Sequence, residues 1–152
     1  PENDETIIFT VTASSVDANV VTPAATVTIN ANDPLQLAVG RRHTCGVLSG
    51  RVKCWGYGPV LGAGVTADYG DGAGETVSGL QAVSLGVGFT PVKVIASNDF
   101  SCALSSAGAV KCWGLNTLGQ LGQDRPGVVG QSSEFIGDAA SEMGASLPAV
   151  QL

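Results

Sequence analysis

Charge is what this chain has least of. Only 13% of its 152 residues are Asp, Glu, Lys or Arg, where about 25% is usual for a soluble domain. Seven basic residues against thirteen acidic ones leave a net charge of −6 at pH 7. The seven form no basic cluster, so the phosphate-neutralising patch that nucleic acid requires is missing. Nucleic acid is therefore not an expected partner, and an anionic membrane surface is disfavoured for the same reason. No apolar run approaches the roughly eighteen residues of a spanning helix, so membrane insertion is not expected. There is one histidine and no secretory leader, and the chain opens on "PENDET" rather than Met. It reads as a mature form or a piece of something longer. The 21 glycines argue against long helices, where each would cost about 1 kcal/mol.

What is present is alternation. Apolar residues make up 44% of the chain, enough for a real core in one ordinary domain with an appendage. In "TIIFTVT" (6–12), Ile7, Phe9 and Val11 share one face; in "TVTIN" (26–30), Val27 and Ile29 do. Both segments are predicted to be β-strands with one buried side. "NANDP" then reads as a turn and a boundary near residue 34.

From Leu35 the text repeats itself. "LQLAVGRRHTCGVL" lies over "VKVIASNDFSCALS" at an offset of 57, and "VKCWG" recurs at 52–56 and 110–114. "GDGAGETVSGLQAVSL" (70–85) lies over "GDAASEMGASLPAVQL" (137–152) at an offset of 67. Three blocks in one order, with loops of variable length between them, make a true internal repeat. The units are 35–85 and 92–152. Each holds four short apolar segments: 35–39, 43–48, 51–56 and 80–85, then 92–96, 100–105, 109–114 and 147–152. The predicted fold is all-β: two four-stranded antiparallel propeller-type blades preceded by a β-strand pair.

The cysteines follow from the hairpins. A two-residue turn at Ser49-Gly50 places Cys45 opposite Cys54. A three-residue loop, Ser106-Ala107-Gly108, places Cys102 opposite Cys112. Directly opposed strand residues lie within disulfide reach, so each unit is expected to carry its own bridge. The rivals are free buried thiols and a zinc site from all four, and the latter lacks the close paired spacing that zinc ligands usually show. Two bridges place the chain outside a reducing cytosol, in an extracellular or cell-surface setting. Trp55 and Trp113 follow the second cysteine of each pair and so point to the opposite strand face. They are expected to pack between blades.

These residues resemble the regulator-of-chromosome-condensation repeat family. "AVGRRHTCGVL" carries Gly40, His43 and Leu48 of its blade pattern. "VIASNDFSCAL" carries Ile95, Ala96 and Leu104, with Phe100 where the pattern has His. "GAVKCWGLNTLGQLG" matches nearly throughout, from Gly108 to Gly122, whereas the first unit departs after Gly56. The "CWG" version is similar to secreted or surface bacterial members. The resemblance implies seven blades in complete members and a blade-packing or hydrogen-bonding role for His43. The exchange-factor and chromatin surfaces of the name-giving member have no recognisable match. Residues 1–33, with "FTVTASS" and "TPAATVTINANDP", resemble the end of a Calx-β domain.

Candidate chemistry is sparse. With four oxidised thiols and one histidine, no nucleophile–base set is in view, and no enzyme activity is expected. Asp68, Asp71 and Glu75 in "DYGDGAGE" could offer oxygen ligands to calcium. Asp138 and Glu142 repeat Asp71 and Glu75, which favours a shared structural turn. No cofactor is expected, with calcium the one candidate.

Two blades cannot close a ring, and each leaves an apolar flank uncovered. The sequence therefore suggests an extracellular structural or adhesive protein. It would self-associate by blade packing and by strand complementation through Ile7, Phe9, Val11, Val27 and Ile29, extending into a filament if the contacts do not close. A C-terminus at a blade boundary favours that reading over its alternative. The alternative is a fragment of a larger cell-surface propeller protein that binds other surface proteins or glycans.

Overall fold

The computed structural model describes residues 6–11, 25–30, 36–123 and 135–152, with side chains described in the last two ranges. The chain divides into two compact units, Pro1–Pro34 and Leu35–Leu152. In the first, β1 (Thr6–Val11) pairs antiparallel with β2 (Ala25–Asn30), setting Ile7 opposite Ile29 and Phe9 opposite Val27. The side chains of Ile7, Phe9, Val11, Val27 and Ile29, and the segments that carry the rest of the Calx-β resemblance, lie outside the described residues.

The second unit is built from two hairpin-based sheets. In the first repeat β3 (Gln36–Val39), β4 (His43–Leu48) and β5 (Arg51–Gly56) form a three-stranded antiparallel sheet. The turn is Ser49-Gly50, with φ of 50° and 68°. Two left-handed residues twist the connection to match the strands, and Leu48 faces Arg51, Val47 faces Val52 and Cys45 faces Cys54. In the second repeat β6 (Pro91–Ala96), β7 (Phe100–Ser105), β8 (Val110–Leu115) and β9 (Phe135–Ile136) form a four-stranded sheet in that order. Its turn leaves Ser106, Ala107 and Gly108 outside the ladder, with Gly108 at φ 84° and a bond from Ser105 N to Ala109 O. Leu104 faces Val110 and Cys102 faces Cys112.

The fourth segment of each repeat differs from expectation. Residues 80–85 form no strand, so the first sheet has three; residues 147–152 form none either, and β9 takes the fourth place in the second sheet. The apolar spacing there reflects burial rather than pairing. Leu80, Val83, Leu85 and Leu147 are buried, yet each segment touches its neighbouring strand through a single ladder-type bond, Val83 N to Val52 O and Val150 N to Val110 O. The second bond is the first one repeated 67 residues later on the donor side and 58 on the acceptor side.

Other loop contacts repeat as closely. Gly56 forms an isolated bridge with Tyr69, where Gly114 pairs with Ile136 in β9. The two lysines of "VKCWG" do the same work. Lys53 Nζ donates to Val77 O and Ser78 O, and Lys111 Nζ donates to Leu85 O and Gly144 O at 2.9 and 3.0 Å. An ammonium with three donors suits loops whose carbonyls have no strand partner. The Trp-Gly step is explained by crowding: at Gly114, φ 106°, a Cβ would lie 2.6 Å from Phe100 Cα.

One apolar core spans both repeats, including Val47, Val52, Val60, Leu61, Val94, Trp113, Leu121, Ile136 and Leu147. β6 packs against β3 and β4. Gly62, φ 68°, lies on the loop after the short 3-10 turn Gly58–Val60, and a Cβ there would stand 2.7 Å from Trp113 Cδ1. The loop of the first repeat thus presses bare backbone onto the tryptophan of the second.

Gly62→Ala is expected to destabilise the protein by about 2–4 kcal/mol, from overpacking plus left-handed backbone strain. Gly74→Ala, also at positive φ but with no atom within 4 Å of its Cβ, is expected to cost about 1–2 kcal/mol. Urea unfolding monitored by tryptophan fluorescence measures both.

Candidate functional site: the seam between repeats and the open flanks

The hairpin register sorts side chains onto two faces of each sheet. On one face of the first repeat stand His43, Cys45, Val47, Val52 and Cys54, all buried. Against them lies the face of the second repeat that carries Ser101 and its cross-strand partner Trp113, both at 0% exposure. This seam holds a buried side-chain hydrogen bond between the two repeats. His43 Nε2 shares a 2.7 Å hydrogen bond with Ser101 Oγ, and Ser101 Oγ lies 3.4 Å from Cys45 Sγ. A disulfide sulfur carries no proton, so the hydroxyl is the donor in the second contact. The imidazole then donates to the hydroxyl from Nε2. Nδ1, which has no hydrogen-bond partner, is left as a bare lone pair rather than an unpaired N–H.

Burial pushes the His43 imidazole below its usual pKa. Nearby Asp99 partly offsets this, and Arg42 adds to it. The group is therefore held neutral, which suits a structural hydrogen bond and supplies no free base. At the rim of the seam Arg42 reaches Asp99 through Nη2 at 3.0 Å and Nε at 3.1 Å. The Arg42 guanidinium also sits 3.7 Å from the centroid of the Tyr57 ring. Backbone joins the rim too, with Arg41 N donating to Asn98 O. Tyr57 meets Phe135 edge-on at 6.4 Å.

The structure joins Cys45 to Cys54 and Cys102 to Cys112, with Cα separations of 4.1 and 4.0 Å. Counted outward from the Ser49-Gly50 turn, Cys45–Cys54 falls on a non-hydrogen-bonded pair, the closer of the two kinds. Trp113 lies in the seam. Trp55, its counterpart, does not. It is half-buried on the opposite flank, with its partner Thr44, beside a groove of about 390 Å³ lined by Arg42, Tyr57, Asp68, Tyr69 and Asp71 among others.

The carboxylates of the Gly-rich loop point inward on backbone. Asp68 Oδ1 accepts from Gly58 N at 2.8 Å, and Glu75 Oε2 accepts from Gly70 N and Gly72 N at 2.7 and 3.0 Å. Those two amides hold the Glu75 carboxyl below the usual carboxylate range. Glu142 Oε2 does the same 67 residues on, accepting from Gly137 N and Ala139 N. The pair is a repeated turn lock. Asp68, Asp71 and Glu75 do not converge as a three-ligand group, and no cluster of three or more acidic, His or Cys groups that could hold a metal occurs among the described residues.

One feature was invisible in the sequence. Leu37 and Val39 on β3 and Val92 and Ile95 on β6 are exposed, Leu37 and Val39 on the sheet face of Gly46 and Thr44 and Ile95 on that of Cys102. A register shift between Pro91 and Lys93 turns two successive residues outward, as a bulge does. Alternation counted from Pro91 places Val92 and Val94 on one face, whereas the shift leaves Val94 buried.

Residues 92–120 match the family model of the regulator of chromosome condensation (RCC1) repeat. No curated protein matches the chain significantly. Among solved structures it is similar to yeast RCC1 (Prp20), solved bound to Kap60, at 19% identity and a TM-score of 0.47 over 84% of this chain and 25% of that one. It is also similar to human WBSCR16, at 20% identity and a TM-score of 0.47 over 82% of this chain and 30% of that one. A further match is Saccharomyces cerevisiae Prp20p, described with its binding to Gsp1p and histones, at 22% identity and a TM-score of 0.44 over 66% and 25% of the two chains. The chain thus spans about a quarter to a third of these proteins.

Because His43 is neutral when folded and takes a proton near pH 6.5 when unfolded, its contribution to stability is complete above that pH. It is lost as pH falls toward the depressed folded value. The urea midpoint is expected to drop between pH 7 and pH 5.5, and His43→Gln is expected to flatten that portion of the curve. Separately, replacing Cys45 and Cys54 together by Ser is expected to cost roughly 2–3 kcal/mol, measured by the same unfolding titration in oxidising buffer.

Proposed function

We propose that this chain is a protein-binding segment of a larger propeller-type protein, working without catalysis in an extracellular or cell-surface setting. The observation that carries the reading is the RCC1-repeat match over residues 92–120, in a unit whose strands expose Leu37, Val39, Val92 and Ile95. The RCC1-repeat match over 92–120 supports a scaffold of this kind, and the two in-repeat disulfides favour an oxidising compartment. A net charge of −6 favours protein over nucleic acid. The sole histidine is spent on Ser101 inside the seam, which favours binding over chemistry. We further place the seam residues His43 and Trp113 in a packing role, and the Glu75 and Glu142 loops in a structural role that needs no calcium or other cofactor.

The sequence alone favours a structural or adhesive filament built by strand complementation. The RCC1-repeat match over 92–120 favours the binding module instead. The partners in view are surface proteins first and glycans second.

The test is a panel of purified extracellular domains and glycans probed with the wild-type chain and with a Leu37→Ser/Ile95→Ser variant. A protein ligand is expected whose affinity falls at least tenfold in the variant, about 1.4 kcal/mol. Equal binding by both chains to every ligand, or binding to glycans alone, would overturn the reading.

A further inference from the structure

A cavity of about 740 Å³ opens where the first repeat leads into the second. Its walls are the hairpin turn at 50–52, the connecting segment 82–91 and Gly144-Ala145 of the second repeat. Backbone bonds stitch these walls together. Val83 N donates to Val52 O at 2.8 Å, and Gly144 N donates to Ser84 O at 2.9 Å. Lys111 braces them, its Nζ donating to the carbonyls of Leu85 and Gly144. The cavity is thus held open by the fold itself, and its size suits a short peptide segment. Every lining residue falls between 50 and 145, so both walls belong to this chain.

The charge of this lining runs against that of the protein. The chain carries thirteen acidic residues against seven basic ones, yet no Asp or Glu lines the cavity, and Arg51 does. Arg51 is exposed. Among the described residues its guanidinium has neither an ion-pair nor a hydrogen-bond partner. Arg42, by contrast, is paired with Asp99, and Lys53 is held by the carbonyls of Val77 and Ser78. Lys111 adds a second positive charge under the lining: a Cβ on Gly86 would lie 3.4 Å from its Nζ. The remaining surface is largely apolar. Val87 is fully exposed, and Phe89 and Pro91 stand beside it in the lining. Phe89 also lies 5.8 Å from Lys111 Nζ, measured to its ring centroid.

We propose that this cavity binds an acidic, partly apolar peptide segment of a protein partner. A carboxylate of the segment sits on Arg51, and a neighbouring aliphatic or aromatic side chain packs against Val87, Phe89 and Pro91. The planar guanidinium takes a carboxylate through two parallel hydrogen bonds, and Ser84 adds a hydroxyl to the same lining. The proposal rests on the protein-binding reading and names the chemistry of the segment bound. It uses none of Leu37, Val39, Val92 and Ile95.

The test selects random octapeptides displayed on phage against the full chain. Enriched peptides are then synthesised, each with a counterpart in which Asp and Glu are replaced by Asn and Gln. Enriched sequences are expected to carry Asp or Glu next to an aliphatic or aromatic residue. Binding is expected to fall about tenfold or more when the acids are replaced by amides, and equally in Arg51→Gln. Arg51→Lys is expected to lose less, since it keeps the charge and loses the fork. Val87→Glu, which sets a like charge beside the carboxylate, is expected to weaken binding too, and added salt to weaken it in wild type. Amide chemical-shift changes are expected at 50–52, 82–91 and 144–145. Both positions are exposed, and an unchanged near-ultraviolet circular dichroism spectrum identifies the variants that fold. Enriched peptides without acids, or peptides that bind wild type, Arg51→Gln and Val87→Glu alike, would overturn the proposal. A surface protein that binds wild type and Arg51→Gln equally would overturn it as well, and would leave the protein-binding reading standing. Acidic peptides that need Arg51, with no protein bound by the chain, would instead overturn the reading on which it rests.

Discussion

The hairpin register is the constraint on which the rest depends. Once Ser49-Gly50 and Ser106–Gly108 close the two turns, Cys45 must face Cys54 and Cys102 must face Cys112, and every other residue in the hairpins is assigned to a face. A slip of one residue would send Trp113 and Ser101 to the outer flank and the disulfide into their place. Each bridge makes that slip chemically inaccessible. Its contribution to chain entropy is modest because the loops are short, and its larger effect is to hold one arrangement against its neighbour in register.

The seam follows from that arrangement. It brings together a disulfide, a neutral imidazole, a hydroxyl and a tryptophan; the Ser101 hydroxyl joins the imidazole to the sulfur, while His43 Nδ1 and Trp113 Nε1 are buried without a hydrogen-bond partner. A charged or mobile group in that position would have to be desolvated without a partner. The single histidine therefore sits where its polarity fixes orientation between blades, rather than where it could exchange protons with a ligand. The loops obey the same economy. Lys53, Lys111, Glu75 and Glu142 each gather backbone carbonyls or amides that no strand pairs, which lets a repeat with only three or four short strands hold long irregular connections.

How much of this was legible beforehand depends on the length scale of each signal. The hairpins, their turns and the cysteine pairing rest on neighbours a few residues apart, and the sequence carries those distances directly. Residues 80–85 and 147–152 misled because apolar spacing reports which side chains are buried, whereas strand formation depends on whether a partner's backbone lies alongside. Leu147 is buried against the core, yet its segment makes one ladder-type bond and no more. Trp55 and Trp113 look identical in "KCWG", and only the position of the neighbouring repeat separates a covered tryptophan from an open one. The exposure of Val92 beside Lys93 on β6 was hidden by the register shift at Pro91–Lys93, a backbone irregularity with no side-chain signature.

By itself, then, the amino-acid order determined an all-β chain, a doubled unit and hairpins whose thiols meet, because alternation, turn residues and repeat offsets are local properties of a polymer. Tertiary structure alone decided which tryptophan is covered by the neighbouring repeat and where His43 finds its hydroxyl. Those outcomes depend on the approach of segments about sixty residues apart, and no local rule specifies that distance.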